Sequence, residues 1–414
     1  MAPKRKAPAS VGYADAAGAE SNKRSARSRP EPTANGAQSP QFDHSRAEER
    51  NGIVLREFYP PEMSNERCAM YNNNEIPRPI KVLESAIKDT EAERKKVKVG
   101  DCVVHWYKRD LRTFDNRGLS MAAQTAKDAG VPLICMFLVS PEDYRAHLTS
   151  RARVDFDLRC LEVLQEDLAE LDIPLFMETV DKRKTLPDRI IGLCEEWGAK
   201  HVFCNIEYEV DELRREALLT KKCLSKGISF TAVHDDVVVA PGALSTGTGK
   251  QYAVYSPWYR AWLAHLEKHP ELLEACPSPE KNPTSARKKF KALFDIPVPH
   301  APEGKVLDDE DKKRFAQLWP AGEHAAHERL EKFINERIKK YKDRRNLPAD
   351  DATAKVSVHH SAGTLAARTS VRMARDANST KKLDGGNAGH GTWISEVAWR
   401  DFYKHVLAHW PYVW

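Results

Sequence analysis

Cys102-Val-Val-His-Trp-Tyr-Lys-Arg-Asp-Leu-Arg112 is the stretch on which the fold turns. Residues that suit a buried strand run straight into a cluster of charges, as when a strand opens at its carboxyl end into a polar loop. Further runs of the same kind follow at Pro132–Val139, Pro174–Val180, His201–Cys204 and Phe230–Val233. Between them Val154, Leu158, Leu161, Leu164, Leu168 and Leu171 recur at helical spacing, and 190–197 and 211–224 read as further helices. Strands alternating with helices predict an α/β domain with a doubly wound, Rossmann-like parallel sheet, placed at 99–240. No G-x-G-x-x-G follows the first strand, so a dinucleotide grip by that loop is not expected.

Outward from this domain the composition changes. Residues 1–98 read as a tail, and its first half, rich in Ala, Ser, Pro, Lys and Arg, lacks a hydrophobic period and is expected to be disordered. Pro3-Lys-Arg-Lys6, and Lys23-Arg24 with Arg27 and Arg29, read as nuclear-import signals, which would make an import receptor a partner and the nucleus the compartment. A second start site past the tail would send a shorter product to the mitochondrion. A charged helix at 82–97 is expected to strap the folded body. Residues 241–315, rich in proline, read as a linker, and 316–414 as the first part of a helical domain that the chain leaves incomplete.

The 41% hydrophobic content suffices for a packed core, and no apolar run reaches the ~18 residues that a membrane-spanning helix needs. The eight cysteines form no C-x-x-C pair and several lie in apolar runs, which reads as buried reduced thiols in an intracellular protein. A net charge of +5 is compatible with a nucleic-acid partner without requiring one.

Near its end the chain reads Trp393-Ile-Ser-Glu-Val-Ala-Trp-Arg-Asp-Phe-Tyr403. Trp393, Glu396, Arg400 and Tyr403 fall on one helical stripe with Trp399 beside it. A stripe of indole, carboxylate, guanidinium and phenol suits a pocket that stacks flat rings and holds phosphate.

This helix, with Trp106-Tyr-Lys-Arg-Asp-Leu-Arg112, Asp115 and Asn116, and Tyr341-Lys-Asp-Arg-Arg-Asn-Leu-Pro348, resembles the photolyase/cryptochrome family. It is most similar there to fungal class I enzymes that repair cyclobutane pyrimidine dimers. The resemblance covers 102–414 in order and implies blue-light-driven, flavin-dependent repair of UV-damaged DNA, with FAD as cofactor and a complete protein that is monomeric. The alternative is a catalytically incomplete fragment or a cryptochrome-like light-responsive regulator. Exposing the Trp393 helix without the rest of its domain would leave an apolar patch, and hence poor solubility or oligomerisation.

The resemblance also implies roles. Tyr341 and Trp393 would line the flavin cavity, and Thr353 and Ser357 would grip its diphosphate. That loop departs from the family pattern at Ala354 and at Val358-His359-His360; with no further ligand at suitable spacing, the two histidines do not read as a metal site. Arg345, Glu396, Trp399, Arg400 and Tyr403 would face DNA, with Glu396 bonding the dimer's pyrimidine edges, Trp399 stacking on it and Arg400 bridging the phosphates of the flavin cofactor and of the DNA backbone. Glu396 and Trp399 are thus the candidate catalytic residues. An antenna chromophore, methenyltetrahydrofolate rather than a deazaflavin, would sit on His147, Asp211 and Glu212; Asp211 as a helix cap and His147 as a plain loop residue remain the alternative. Arg109, Asp110, Arg112 and Asp115 read as an ion-pair lattice that pins the first loop.

Overall fold

The computed structural model describes residues 61–413, and the basic tail lies outside them. Five strands, β1 (Val103–Tyr107), β2 (Leu133–Val139), β3 (Leu175–Thr179), β4 (His201–Asn205) and β5 (Ser229–Val233), form one parallel sheet in the order β3-β2-β1-β4-β5. Every residue of β1 and β2 is buried, which explains why their sequences are apolar without alternation: both faces are covered. Val103, Tyr107, Cys135 and Phe137 point into one apolar layer, and Val104, Trp106, Ile134 and Met136 into the other.

Helices α1 (Pro79–Arg94), α2 (Arg117–Ala129), α3 (Arg151–Glu170), α4 (Leu186–Trp197) and α5 (Val210–Ser225) cover these faces. The expected strap is α1, which begins earlier than its charge pattern suggested because Pro79 supplies the preset φ of a first helical residue. It packs along α5, and its Arg94 reaches Thr231 of β5 at 3.3 Å. Asn116 caps α2 through the Leu119 N–H, and Gly130 closes it at φ 66°.

The expected linker departs from its reading, because it contains helix α6 (Tyr255–Lys268). Trp258, Trp262 and Leu266 recur every fourth residue, and both tryptophans are fully buried among α7 (Gly322–Glu336), α8 (Ala367–Asp376) and α9 (Ala388–His409). Pro257 and the scattered loops around this segment masked that stripe.

The loop after β1 joins the helical part to the sheet. The expected lattice forms, but with partners supplied from elsewhere in the chain. Arg112 pairs with Asp235, and Arg368 of α8 bonds Asp115 Oδ1 and Asp235 Oδ1, each at 2.6 Å. Asp110 instead accepts from Asn205 Nδ2 at 2.6 Å and from the Lys108 N–H at 2.7 Å, while Arg109 pairs with Glu209 at 2.6 Å. Contact at this seam is close: Gly363 sits at φ 76°, and a Cβ there would lie 2.0 Å from the Arg109 carbonyl oxygen. Only glycine satisfies both conditions.

Candidate functional site: two cavities on one seam

Helix α9 forms one wall of a cleft of about 450 Å³. Trp393, Glu396, Val397, Arg400 and Lys404 face it, opposed by Tyr341, by Thr353 and Ser357 with the loop between them, and by His360, Asp236 and Arg109. The structure therefore brings Tyr341, Thr353, Ser357, Trp393, Glu396 and Arg400 together, though they are spread over 60 residues of sequence. Trp393 packs against Phe333 and Tyr341, with ring centroids at 4.9 and 5.7 Å. Its indole N–H is buried with no partner among the described residues, so the cleft wall carries an unused donor.

Charge inside the cleft is paired. Arg400 donates to the carbonyl and the carboxylate of Asp236 and lies 3.4 Å from the His360 carbonyl oxygen. Lys404 Nζ lies 3.3 Å from Asp236 Oδ2 and 3.6 Å from Glu209 Oε1. Arg345 and Glu396 form an ion pair with each other, both side chains about a third exposed. Burial and the nearby Arg400 charge push the His360 imidazole down to about 3, so it is neutral at physiological pH. Its ring nitrogens meet the Leu365 carbonyl and the Ser370 hydroxyl, each at 3.2 Å, while His359 Nδ1 lies 2.9 Å from the Thr364 hydroxyl. Neither histidine belongs to a cluster of metal-ligating side chains among the described residues.

Tyr403, expected on the Trp393 stripe, is not on this wall, and Trp399, expected beside the stripe, lies off it as well. Helical rotation is the reason: at about 100° per residue, Tyr403 is turned roughly 80° from Trp393, whereas Lys404 returns to within about 20°. Trp399 stacks instead on Tyr255 of α6, with centroids 3.5 Å apart and planes at 9°. Tyr403 stacks on Trp399 and is 62% exposed.

A second, smaller pocket of about 90 Å³ opens at the carboxyl ends of β1, β2 and β4. Strand order reverses between β1 and β4, and this crevice is where open parallel sheets bind ligands. His147 and Glu212 face each other across it, Nε2 to Oε1 at 2.9 Å. Burial acts to raise the Glu212 carboxyl, but the hydrogen bond and charge of His147 outweigh it and hold it at about 2. The other Glu212 oxygen is buried with no hydrogen-bond partner among the described residues. Asp211 does not line the pocket; its carboxylate turns to Arg183 at 3.1 Å. Nor does its side chain cap α5, whose N-cap is Glu209.

Sequence reasoning missed Asp236, His360, Lys355 and Lys404 as cleft residues, and it placed Arg109 only in the loop lattice. Lys404 carried a signal, since it lies eleven residues from Trp393 and so on the same helical face. Asp236, just beyond the carboxyl end of β5, carried a weaker one.

A parallel α/β sheet with a ligand crevice at its switch point, fastened by a buried ionic seam to helices that frame a second cleft, defines a protein of the α/β-plus-helical class. Residues 103–280 match the family model described as DNA photolyase. The chain is 58% identical over 369 residues to a deoxyribodipyrimidine photo-lyase of Neurospora crassa, covering 88% of this chain and 60% of that protein. A mitochondrial deoxyribodipyrimidine photo-lyase of Saccharomyces cerevisiae is 27% identical, covering 86% of this chain and 65% of the relative. In structure the chain is similar to a class III photolyase of Agrobacterium tumefaciens, with a TM-score of 0.60, 23% identity, and 76% of this chain and 60% of that one covered. A cryptochrome of Synechocystis gives the same TM-score at 20% identity, with 75% and 62% covered. The chain thus carries a DNA photolyase domain over residues 103–280, and it spans somewhat under two thirds of the length of these relatives.

Proposed function

We propose that the cleft on α9 holds FAD and that the protein acts as a deoxyribodipyrimidine photolyase, reversing cyclobutane pyrimidine dimers in UV-damaged DNA with blue light. The observation that carries this reading is the convergence of Tyr341, Thr353, Ser357, Trp393, Glu396 and Arg400 on one cleft of ligand size. The unpaired Trp393 indole N–H and the apolar Tyr341–Phe333–Trp393 wall fit a flat, heteroatom-rich ring. Thr353, Ser357 and Arg400 are the groups that would hold a diphosphate. When bound, the flavin would supply a light-excited electron donor, and the electron would return once the cyclobutane ring has opened.

The chain's own residues bind and orient. Glu396 would accept N–H groups of the pyrimidine edges, which requires its release from Arg345. Arg345, once released, would be free to meet a DNA phosphate, so the ion pair links DNA entry to exposure of the carboxylate. Trp399 and Tyr403, stacked on Tyr255, offer an aromatic edge beside the cleft for a flipped-out dimer. In the sheet-end pocket the free Glu212 oxygen fits the amino and ring N–H groups of a methenyltetrahydrofolate antenna. The basic clusters at 3–6 and 23–29 support nuclear import, and a monomeric complete protein is part of the same reading.

The test is a flavin titration of the purified chain, followed by absorbance and by blue-light repair of a dimer-containing oligonucleotide. Saturable binding near one FAD per chain, at least tenfold weaker in Trp393→Leu, is expected. A chain that takes up no flavin, or binds it equally well without Trp393, overturns the assignment of the cleft.

A further inference from the structure

Arg109 lines both cavities. Its guanidinium lies 2.6 Å from Glu209 Oε1 and 3.3 Å from Glu207 Oε1. Glu209 Oε1 is in turn 3.6 Å from Lys404 Nζ, which lies 3.3 Å from Asp236 Oδ2, and Asp236 holds Arg400. Arg400, Asp236, Lys404, Glu209 and Arg109 thus form a row of alternating charge from the cleft to the sheet-end pocket. Glu207, which lines that pocket, continues the row to Arg215 at 3.1 Å and Lys108 at 3.6 Å.

In such a row each inner carboxylate is shared by two cations. Asp236 serves Arg400 and Lys404, and Glu209 serves Lys404 and Arg109. Glu209 is largely buried, and although burial acts to raise its carboxyl, Lys404 and Arg109 outweigh that and hold it well below the usual carboxylate range. A polyanion entering the cleft meets the Arg400, Lys404 and Arg109 cations and competes for them. Every cation it draws off leaves Glu209 less compensated in a poorly screened setting, while Glu207 keeps Arg215 and Lys108 beside it. The negative potential then rises in the pocket that contains the free Glu212 oxygen.

We propose that Arg109 is a binding residue shared by the two cavities and couples them: an anion in the cleft tightens the sheet-end pocket's hold on a cationic or N–H-rich ligand, and by reciprocity the reverse. The identity of the two occupants rests on the functional reading above; the coupling rests on the charge row alone.

His147 reports the effect from inside the sheet-end pocket. Its ring faces Glu212 at 2.9 Å and Asp143, with the charges of Arg109 and Glu209 close by. Burial lowers its proton affinity, Glu212 outweighs burial and raises it, Arg109 lowers it and Glu209 raises it further. Drawing Arg109 toward the cleft therefore moves the His147 titration upward.

The experiment is an NMR titration of the His147 ring in the full chain, with and without inorganic pyrophosphate as the cleft probe. It is paired with absorbance titrations of 5,10-methenyltetrahydrofolate in the presence and absence of FAD. Pyrophosphate is expected to raise the His147 midpoint in the wild type and to leave it nearly fixed in Arg109→Gln and in Lys404→Gln. FAD is expected to tighten folate binding about fivefold, the lower end of ordinary coupling, and the factor should fall to about one in both variants. Lys404→Gln keeps the test intact if Arg109→Gln fails to fold, because it cuts the same row elsewhere. Failure of pyrophosphate to bind, an unmoved His147 midpoint, or an unchanged shift in the variants each overturns the coupling. A pyrophosphate shift without FAD binding removes the flavin reading and keeps the coupling, whereas FAD binding without a shift does the opposite.

Discussion

Arg368→Met tests the ionic seam between sheet and helices. Arg368 is 1% exposed and bonds Asp115 Oδ1 at 2.6 Å, the Asp115 carbonyl oxygen at 2.7 Å and Asp235 Oδ1 at 2.6 Å. Removing one partner of a buried pair typically costs about 3–5 kcal/mol, because the remaining charge stays buried and uncompensated. Here the remaining carboxylates keep some help: Asp235 retains Arg112 and the Arg117 N–H, and Asp115 retains Thr369 and the Cys276 N–H. The loss should therefore fall at the lower end, about 3 kcal/mol. Urea unfolding followed by tryptophan fluorescence measures it, with slopes compared so that the midpoint shift reads as stability. Asp115→Asn in the Arg368→Met background should recover at least about 1 kcal/mol, since it removes a buried charge left with only Arg372, at 3.6 Å, as its cation. Asn also tolerates the φ of 58° at that position.

The pH dependence has a fixed sign. Burial acts to raise the Asp235 carboxyl, but Arg112 and Arg368 outweigh it and hold it well below the usual carboxylate range. Its contribution is fully present above an unfolded-state value of about 3.9 and is lost as pH falls through the lower folded value. Arg368→Met should flatten that acid limb. A loss under about 1 kcal/mol, or no recovery from Asp115→Asn, would refute the reading of Arg368 as the clamp of the seam.

Gly363→Ala places a Cβ 2.0 Å from the Arg109 carbonyl oxygen at a φ of 76°; a loss of more than about 2 kcal/mol is expected from strain and displacement together, and hydrogen exchange should show the Lys108–Arg112 loop opening first. Asp401 is buried in α9, accepting from the Val238 and Val239 N–H groups and from Trp262 Nε1, and burial pushes its carboxyl up to about 7 against those donors and Arg400. A raised carboxyl binds its proton in the folded state between about 4 and 7, so this group makes stability fall as pH rises through that window. Asp401→Asn should abolish that slope between about pH 4 and 7, and a slope identical to wild type would show that Asp401 is ionised throughout. Tyr255→Ala removes the stacking partner of Trp399; a loss of about 1–2 kcal/mol with altered tryptophan emission is expected, while flavin affinity, set by a cleft that Trp399 does not line, should stay within twofold.

Much of the α/β half was legible in the sequence because its signals are local. A strand buried on both faces is apolar throughout, and its neighbours must be helical to cover it, so the runs from 102 to 233 announce a parallel sheet. The helical half was less legible. Helix α6 was read as linker because Pro257 and the surrounding loops obscure the Trp258–Trp262–Leu266 stripe, which only the packing of α7, α8 and α9 around it makes decisive. Family resemblance singled out the cleft residues on α9, but the face each one presents follows from helical rotation, and that turned Tyr403 away and brought Lys404 in.

By itself, then, the sequence determined the strands, the period of the helices and which residue types could serve a flavin-like ligand, since these depend on neighbours within a few positions. Tertiary structure decided the pairing of charges. Whether Arg112 meets Asp115 or Asp235, whether Arg345 is free or tied to Glu396, and whether Arg109 belongs to one cavity or to two depend on groups that lie far apart in the chain. Charges interact over distances in space, and no periodicity along the chain records those distances.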